Sequence, residues 1–405
     1  ELFLLEERYP DLVTPDSPTQ RVAGAPLPGF VKVTHAVPMH SLEDVFTREE
    51  AEAWLTRIKK IQPDSPFDFF TELKMDGLAL SLVYEDGVLV QAATRGDGAV
   101  GEEVTHNART IESLPIRLRV PSEGEMKAFL RKHAGTVEES RFRRFMTSHP
   151  GRIEVRGEVY MTRKQLASLN KILTARGDAP LANPRNASAG AIRQLDPRIA
   201  SERKLSFCRW QLLADSGLTT YEQAHDAMAL LGIPGSGYLR YCRTLDEVEA
   251  FFKEIGKKRE TLPFQIDGMV VKINNNALFE ALGVVGKTPR GAMAWKYAAE
   301  QGTTIVREIH VSVGRTGALT PVAIMDPVPL AGTTVTRASL HNEDEIVRLD
   351  LRIGDTVIVE KAGDIIPKVI QVLPALRTGK EKRFKMPSHC PMCGANVERR
   401  EGEVA

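Results

Sequence analysis

Glu72-Leu73-Lys74-Met75-Asp76-Gly77 sets a lysine at the end of a Phe-rich, strand-like run, Phe67 to Leu73, and Asp76-Gly77 turns the chain directly after it. An alternating run from Leu78 to Glu85 follows and predicts a second strand. Lys74 is therefore expected on a fixed strand end rather than on a mobile loop. A lysine held this way can serve as a nucleophile once burial or neighbouring charge has deprotonated its amine. The plainer alternative is a solvated lysine beside an ordinary Asp-Gly turn. The rest of the chain has to separate the two.

Working outward, further charges sit in strand-like apolar runs. Glu72, two residues before Lys74, shares its face of the strand. Arg95 closes the partner strand, and Glu158 lies in Val155-Arg156-Gly157-Glu158-Val159. Asp267-Gly268-Met269-Val270-Val271-Lys272 places a carboxylate and a cation in one strand, and Lys296 sits in Ala294-Trp295-Lys296-Tyr297. Charges in apolar strands are costly unless paired or functional. A single ion pair would explain any one of them. Three lysines and three carboxylates together point to phosphoryl chemistry, the cations stabilising charge on an α-phosphate. The carboxylates would hold a ribose hydroxyl or the hydration shell of magnesium. Strict alternation puts Asp267 and Lys272 on opposite faces, and Gly268 is a candidate bulge that would alter this. Trp210, in Phe207-Cys208-Arg209-Trp210, is a candidate purine stacker, with a core tryptophan as the default reading.

The 405 residues suggest two to three domains at about 150 residues each. A hydrophobic content of 42% with 26% charged residues is that of an ordinary globular protein. The net charge of +1 neither demands nor excludes a nucleic-acid partner, because local patches matter more than the sum. No apolar run approaches the roughly 18 residues needed to span a bilayer, and no secretory signal opens the chain. Four cysteines do not make a disulfide scaffold, so a reducing cytoplasm is expected. The chain starts without Met and stops in a charged stretch, which reads as a fragment of a longer protein.

Residues 1–30 hold one short helical stretch and a linker containing Pro15, Pro18, Pro26 and Pro28. A helix over 47–61 opens on a Thr47/Glu50 capping box. Strand and hairpin follow to Thr94, with Asp86-Gly87 as the tight turn. Residues 121–151 read as a basic, loosely patterned insertion, its charge solvated or, second, a DNA contact. A strand over Ile153–Met161 precedes a helix over Thr162–Arg176 that stops at Gly177. Two helices near 219–231 and 244–258 follow, the second with a Thr244/Glu247 capping box. Strands resume at Phe264–Ile273 and Ala292–Tyr297. The mixture is α+β with mostly antiparallel sheets. From about 303 the texture changes to short strands between turns at Gly314–Gly317, Pro327–Pro329, Gly354-Asp355 and Gly363-Asp364. Five strands and a short helix near 342–349 suit an all-β barrel of the OB type.

At these residues a resemblance becomes specific. Glu72–Gly77 resembles the nucleotidyltransferase signature of DNA ligases and RNA-capping enzymes, and Arg156–Val159, Asp267–Lys272 and Trp295–Tyr297 look like that superfamily's later motifs, in order. Asn183-Pro184-Arg185-Asn186-Ala187-Ser188-Ala189-Gly190, Arg193–Arg198, Gly314–Gly317 and Leu340-His341-Asn342 look like the bacterial NAD-dependent DNA ligases, over nearly the whole chain. The resemblance implies a remnant of a nicotinamide-mononucleotide module over 1–30, an ATP-grasp-like nucleotidyltransferase domain over 31–300, an OB domain over 301–374 and a zinc-finger stub over 375–405. It implies an AMP-lysine at Lys74, nucleotide contacts at Ser41, Leu42, Asp76 and Asp267, and an adenine edge met by Glu72 and Lys272. Trp210 would stack on adenine. Arg95 and Glu158 would serve the nucleotide or its metal waters, with Asp267 an alternative for the waters. Lys296 would serve the phosphate. Arg185, Arg193, Arg259 and Arg315 would touch DNA, and nicked duplex DNA is the implied partner of a monomer. NAD and magnesium are the implied cofactors. An ATP-dependent nucleotidyltransferase, or a non-catalytic DNA-binding protein on the same scaffold, are the alternatives.

Several features depart from that pattern. Only the tail of the mononucleotide module is present, so reaction of this chain with NAD is expected to be impaired. Cys390-Pro391-Met392-Cys393-Gly394 is half of a four-cysteine zinc site, and Cys208 and Cys242 lie in unrelated segments. A closed structural site needs four ligands, so zinc is expected in a longer parent, not here, and residues 388–405 are expected to be loosely ordered.

Overall fold

The computed structural model describes residues 2–398 apart from 10, 12–13, 15–16, 18–20, 22–28, 182, 299, 315–316, 331–332 and 362–366. Pro15, Pro18, Pro26, Pro28, Arg315 and the Gly363-Asp364 turn fall outside the described residues. The chain divides into two compact units, Glu1–Tyr297 and Ala298–Ala405.

Beside two small two-stranded sheets, the first unit is built mainly on two larger ones. One has five strands in the order Glu43–Val45, Ala292–Lys296, Ile266–Ile273, Phe69–Met75 and Leu239–Cys242. Its pairings are antiparallel except for Glu43–Val45 against Ala292–Lys296. The other has four antiparallel strands in the order Val88–Thr94, Leu78–Glu85, Arg152–Tyr160 and Ser206–Leu213. The Asp86-Gly87 turn has both residues at positive φ, 46° and 79°, the geometry that matches strand twist in a two-residue hairpin.

The strand of Lys74 runs Phe69–Met75 and is covered on both sides. Phe69 packs with Trp54, Val271 and Trp295 in one cluster, and Leu73 and Met75 pack with Phe251, Ile266 and Met269 in another. The larger core lies over the four-stranded sheet, around Leu80, Leu82, Tyr84, Val155 and Phe207.

Residues 121–151 depart from the loose insertion expected. Two helices, Glu123–Lys132 and Glu139–Ser148, send Met126, Phe129, Phe142, Phe145 and Met146 into the main core. The Phe129 and Phe142 rings stack at 4.3 Å. A capping box of Ser122 and Glu125 opens the first helix. The basic residues are answered locally: Lys127 and Arg143 by Glu123, Arg141 by Glu138 and Asp215, Lys132 by Asp226. The charge read as an unpatterned run is the outer face of an amphipathic hairpin.

The helix Leu245–Lys258 starts on Thr244, whose side chain accepts from Glu247 N. The expected reciprocal bond goes elsewhere, because Glu247 Oε2 takes the Arg243 amide at 2.8 Å.

The second unit is a closed five-stranded barrel in the order Glu300–Val313, Leu319–Leu330, Thr333–Ser339, Lys368–Val372 and Thr356–Lys361. Val306, Ala323, Val357 and Val359 fill it. Asn342 caps the helix Glu343–Arg348 through Glu345 N. Of the segment 388–405 expected to be loosely ordered, residues 388–398 form a small hydrogen-bonded hairpin, with Gly394 N on Cys390 O and Cys390 N on Ala395 O, and the remainder lies outside the described residues.

Candidate active site

Register across the five-stranded sheet assembles the site. Lys74 pairs with Gly268, and Gly268 pairs with Lys296, so both lysines flank a residue without a side chain. A Cβ on Gly268 would come within 2.2 Å of Trp295 O. The pairing jumps from Ile266–Met75 to Gly268–Lys74, leaving Asp267 as an extra residue. The bulge for which Gly268 is the candidate falls one residue earlier, at Asp267. It turns Asp267 to the same face as Val270 and Lys272 while Ile266 stays in the core. Asp267 Oδ2 then lies 2.8 Å from Lys74 Nζ and 3.9 Å from Lys296 Nζ. Asp267 Oδ1 is buried without a hydrogen bond. Lys296 also reaches Asp44 Oδ2 at 2.7 Å.

One step along the same face, Glu72 and Lys272 form a buried pair at 2.5 Å. Lys272 Nζ also donates to Trp210 O at 2.7 Å, and the Tyr221 ring lies 4.8 Å away. Burial pushes the Glu72 carboxyl up, but Lys272 and His225 overcome that and hold it below its usual range. His225 Nε2 is 3.2 Å from Glu72 Oε2 without the alignment of a hydrogen bond. Burial lowers its pKa, against the opposing pull of Glu72.

The four-stranded sheet supplies the facing wall. Gly77 makes the approach possible, since a Cβ there would sit 2.2 Å from Val159 O. Glu158 is the preceding residue on that strand. Desolvation pushes its carboxyl up to about 8, against the lowering effect of Lys74 and Arg185. Trp210 is half-buried at a register shift in Ser206–Leu213 and lines the cleft, so it is not a core tryptophan. Arg95 donates to Ser41 Oγ at 2.6 Å.

Asn183–Gly190 folds as the start of a helix, Pro184–Ile192, with Asn183 as its cap and Pro184 in the first turn. Its small residues Ala187, Ser188 and Ala191 pack flat against the core. Arg185 reaches Asp76 Oδ1 at 2.9 Å. Arg193, just past the helix, grips Glu102 with two nitrogens at 2.7 and 3.0 Å.

The result is a cleft of about 600 Å³ lined by Ser41, Leu42, Glu72, Lys74, Asp76, Arg95, Glu158, Arg185, Arg193, Trp210, Lys272 and Lys296. Its mixture of apolar walls and convergent charges is that of a ligand site. Arg259 does not line it; its guanidinium lies over the Tyr297 ring at 5.4 Å. Sequence reasoning missed Asp44, Arg209 and the buried His225. Arg209 stands beside Trp210 in the stretch already singled out, whereas an isolated histidine within a helix carries no signal. Cys390 and Cys393 lie three residues apart in the hairpin of the second unit, and backbone amides lower the Cys390 thiol. Among the described residues no group of three or more His, Cys, Asp or Glu side chains is arranged for a metal. Among the described residues no helix is long and apolar enough to cross a membrane.

Known proteins match this chain along its length. The NAD-dependent DNA ligase adenylation domain matches residues 27–134 and 143–300, and the NAD-dependent DNA ligase OB-fold domain matches 303–381. All but residues 135–142 of the segment read as an insertion thus fall within the match. DNA ligase of Thermomicrobium roseum is 46% identical over 407 residues, covering 100% of this chain and 55% of that protein. DNA ligase of Halothermothrix orenii is 47% identical over 405 residues, covering 100% and 56%. DNA ligase of Acetivibrio thermocellus is 46% identical over 409 residues, covering 100% and 57%. The chain spans a little over half the length of these relatives.

Proposed function

The chain belongs to the NAD-dependent DNA ligase family, and from that premise we propose that it carries the catalytic part of an enzyme that seals nicks in duplex DNA. The observation that supports this most is Lys74 Nζ, held 2.8 Å from Asp267 Oδ2 with Lys296 beside it. Lys74 Nζ attacks the α-phosphorus of NAD. A phosphorus–nitrogen bond forms, the phosphoanhydride breaks, and nicotinamide mononucleotide leaves with the electron pair. Asp267 Oδ2 is placed to take the amine proton. AMP then passes from Lys74 to a DNA 5′-phosphate. The neighbouring 3′-hydroxyl attacks that phosphate and AMP departs. Positioning and charge stabilisation supply most of the catalysis, as is general for phosphoryl transfer.

Glu72 and Lys272 read the adenine edge in this scheme, Trp210 stacks on its face, and Ser41, Leu42, Asp76 and Arg95 hold the nucleotide. Lys296 meets the phosphate. Arg185, Arg193, Arg259 and Arg315 take DNA phosphates. The Glu158 carboxyl, raised by burial, suits a hydrated magnesium whose charge would ionise it. That cation supplies neutralisation of the phosphate oxygens when bound. Cys390 and Cys393 fit half of a thiolate zinc site, whose role is structural. The protein is a monomer of the reducing cytoplasm in this reading.

Mass spectrometry tests the central claim. A chain extended to the length of its relatives, incubated with NAD or ATP, should carry AMP on the Lys74 peptide from NAD alone. AMP at another residue, or labelling by ATP in preference, would refute it.

A further inference from the structure

Residues 37–42 form one wall of the cleft without belonging to a strand or helix. They lie between the strands Lys32–Thr34 and Glu43–Val45 and contribute Met39, His40, Ser41 and Leu42 to the lining. Backbone with no ladder of its own must find its hydrogen bonds elsewhere. Two amides do so directly: Met39 N meets Gly98 O at 2.8 Å and Ser41 N meets Lys287 O at 2.9 Å. The carbonyls are taken by two guanidinium groups. Arg95 Nε reaches Met39 O at 3.4 Å.

Arg156 takes the other two. Its Nη1 donates to Pro38 O at 3.0 Å and its Nη2 to Val37 O. Its Nε donates to Glu154 Oε1 at 2.8 Å. Only 2% of Arg156 is exposed, and it does not line the cleft. Glu154 is buried with it and is itself held by Ser81 Oγ at 2.8 Å and by Arg152 at 2.9 Å. A buried arginine is expensive unless every donor finds a partner. Here one planar fork spans a carboxylate and two successive carbonyls, a geometry that a lysine cannot reproduce.

We propose that Arg156 is a positioning residue for nucleotide binding, holding the Val37 and Pro38 carbonyls so that Ser41 and Leu42 stand at the nucleotide. This rests on the nucleotide reading of the cleft given above. Arg156 shares a strand face with Glu158, two residues on. One strand therefore supplies a cleft carboxyl and the brace for the adjoining wall.

The test substitutes Arg156→Lys, which keeps a charge opposite Glu154 but loses the fork. Binding of AMP to the chain is measured by calorimetry, and exchange of the Met39 and Ser41 amides by mass spectrometry without nucleotide. AMP should bind about tenfold more weakly, the scale of one or two lost hydrogen bonds. The two amides should exchange faster while those of Phe69–Met75 are unchanged. In a double-mutant cycle the loss should not add to that of Ser41→Ala but should add to that of Glu72→Gln, on the far sheet. Unchanged AMP affinity, unchanged exchange, or full additivity with Ser41→Ala overturns the inference. Where Arg156→Lys does not fold, the charge-free pair Arg156→Met with Glu154→Leu takes its place, with the same outcomes. No AMP binding by the unsubstituted chain, or none of the expected loss in Glu72→Gln, refutes the nucleotide reading and removes the inference with it.

Discussion

Asp267 Oδ2 stands 2.8 Å from Lys74 Nζ although the two residues belong to different strands and are 193 positions apart. The same oxygen is 3.9 Å from Lys296 Nζ. One carboxylate thus faces the candidate nucleophile and a second cation together. Asp267→Asn keeps the shape and removes the proton acceptor. It should slow formation of the AMP-lysine by about a hundredfold or more, the range of a general base, while AMP binding changes little. Initial labelling rates beside calorimetric titration decide this; equal losses in both would point to a packing role.

Glu158 carries a pH dependence of stability. Burial raises its carboxyl in the fold from an ordinary 4.5 to about 8. Between those values the folded chain holds a proton that the unfolded chain has released. Stability should therefore fall as pH rises through that window. Glu158→Gln should flatten the trend and be the more stable form near pH 8. Denaturation midpoints at pH 5, 6.5 and 8 give the comparison, and parallel profiles for the two proteins would contradict it.

Gly77→Ala should cost stability whatever the chemistry. The new methyl would lie 2.2 Å from Val159 O and 2.9 Å from Glu158 Cγ, so the Lys74 strand end and the facing sheet must move apart. Overpacking of this kind costs about 1–3 kcal/mol. A thermal midpoint equal to that of the unsubstituted chain would show that the approach is looser than described.

DNA binding should rest on local basic groups despite a net charge of +1. Arg185 and Arg193 face Asp76 and Glu102 and, if they contact DNA as proposed, would trade those carboxylates for phosphates. Arg193→Ala should weaken binding to nicked duplex across all sequences and reduce the salt slope by about one unit. Binding indifferent to salt would remove the phosphate assignment.

Much of this arrangement was legible because it is local. Lys74, Glu72 and the strand Leu78–Glu85 follow from alternation, and Asp86-Gly87 from turn chemistry. Gly177 marks a helix end at φ 83°. What stayed hidden depends on partners distant in sequence. The burial of Phe142 against Phe129 turns a basic stretch into a packed hairpin, and no charge count reveals that. Asp226, which anchors Lys132, lies 94 residues away. His225 reaches Glu72 from the helix Tyr221–Leu230, distant in sequence from the Lys74 strand. The Thr244/Glu247 pattern gave the helix start but not the carboxylate's partner, since Arg243 offers an equally near amide.

The extra residue at Asp267 has a consequence for how such a chain can change. It resets the odd–even count of the strand, so that Ile266 and Met269 point one way while Asp267, Gly268, Val270 and Lys272 point the other. Side chains here can be exchanged one at a time and tested one at a time. Removing a single residue between Ile266 and Met269 would restore simple alternation and turn either Asp267 away from Lys74 or Lys272 out of the cleft. Across this stretch the length of the chain is therefore under as strong a constraint as its composition, and variation should arrive by replacement rather than by gain or loss of residues.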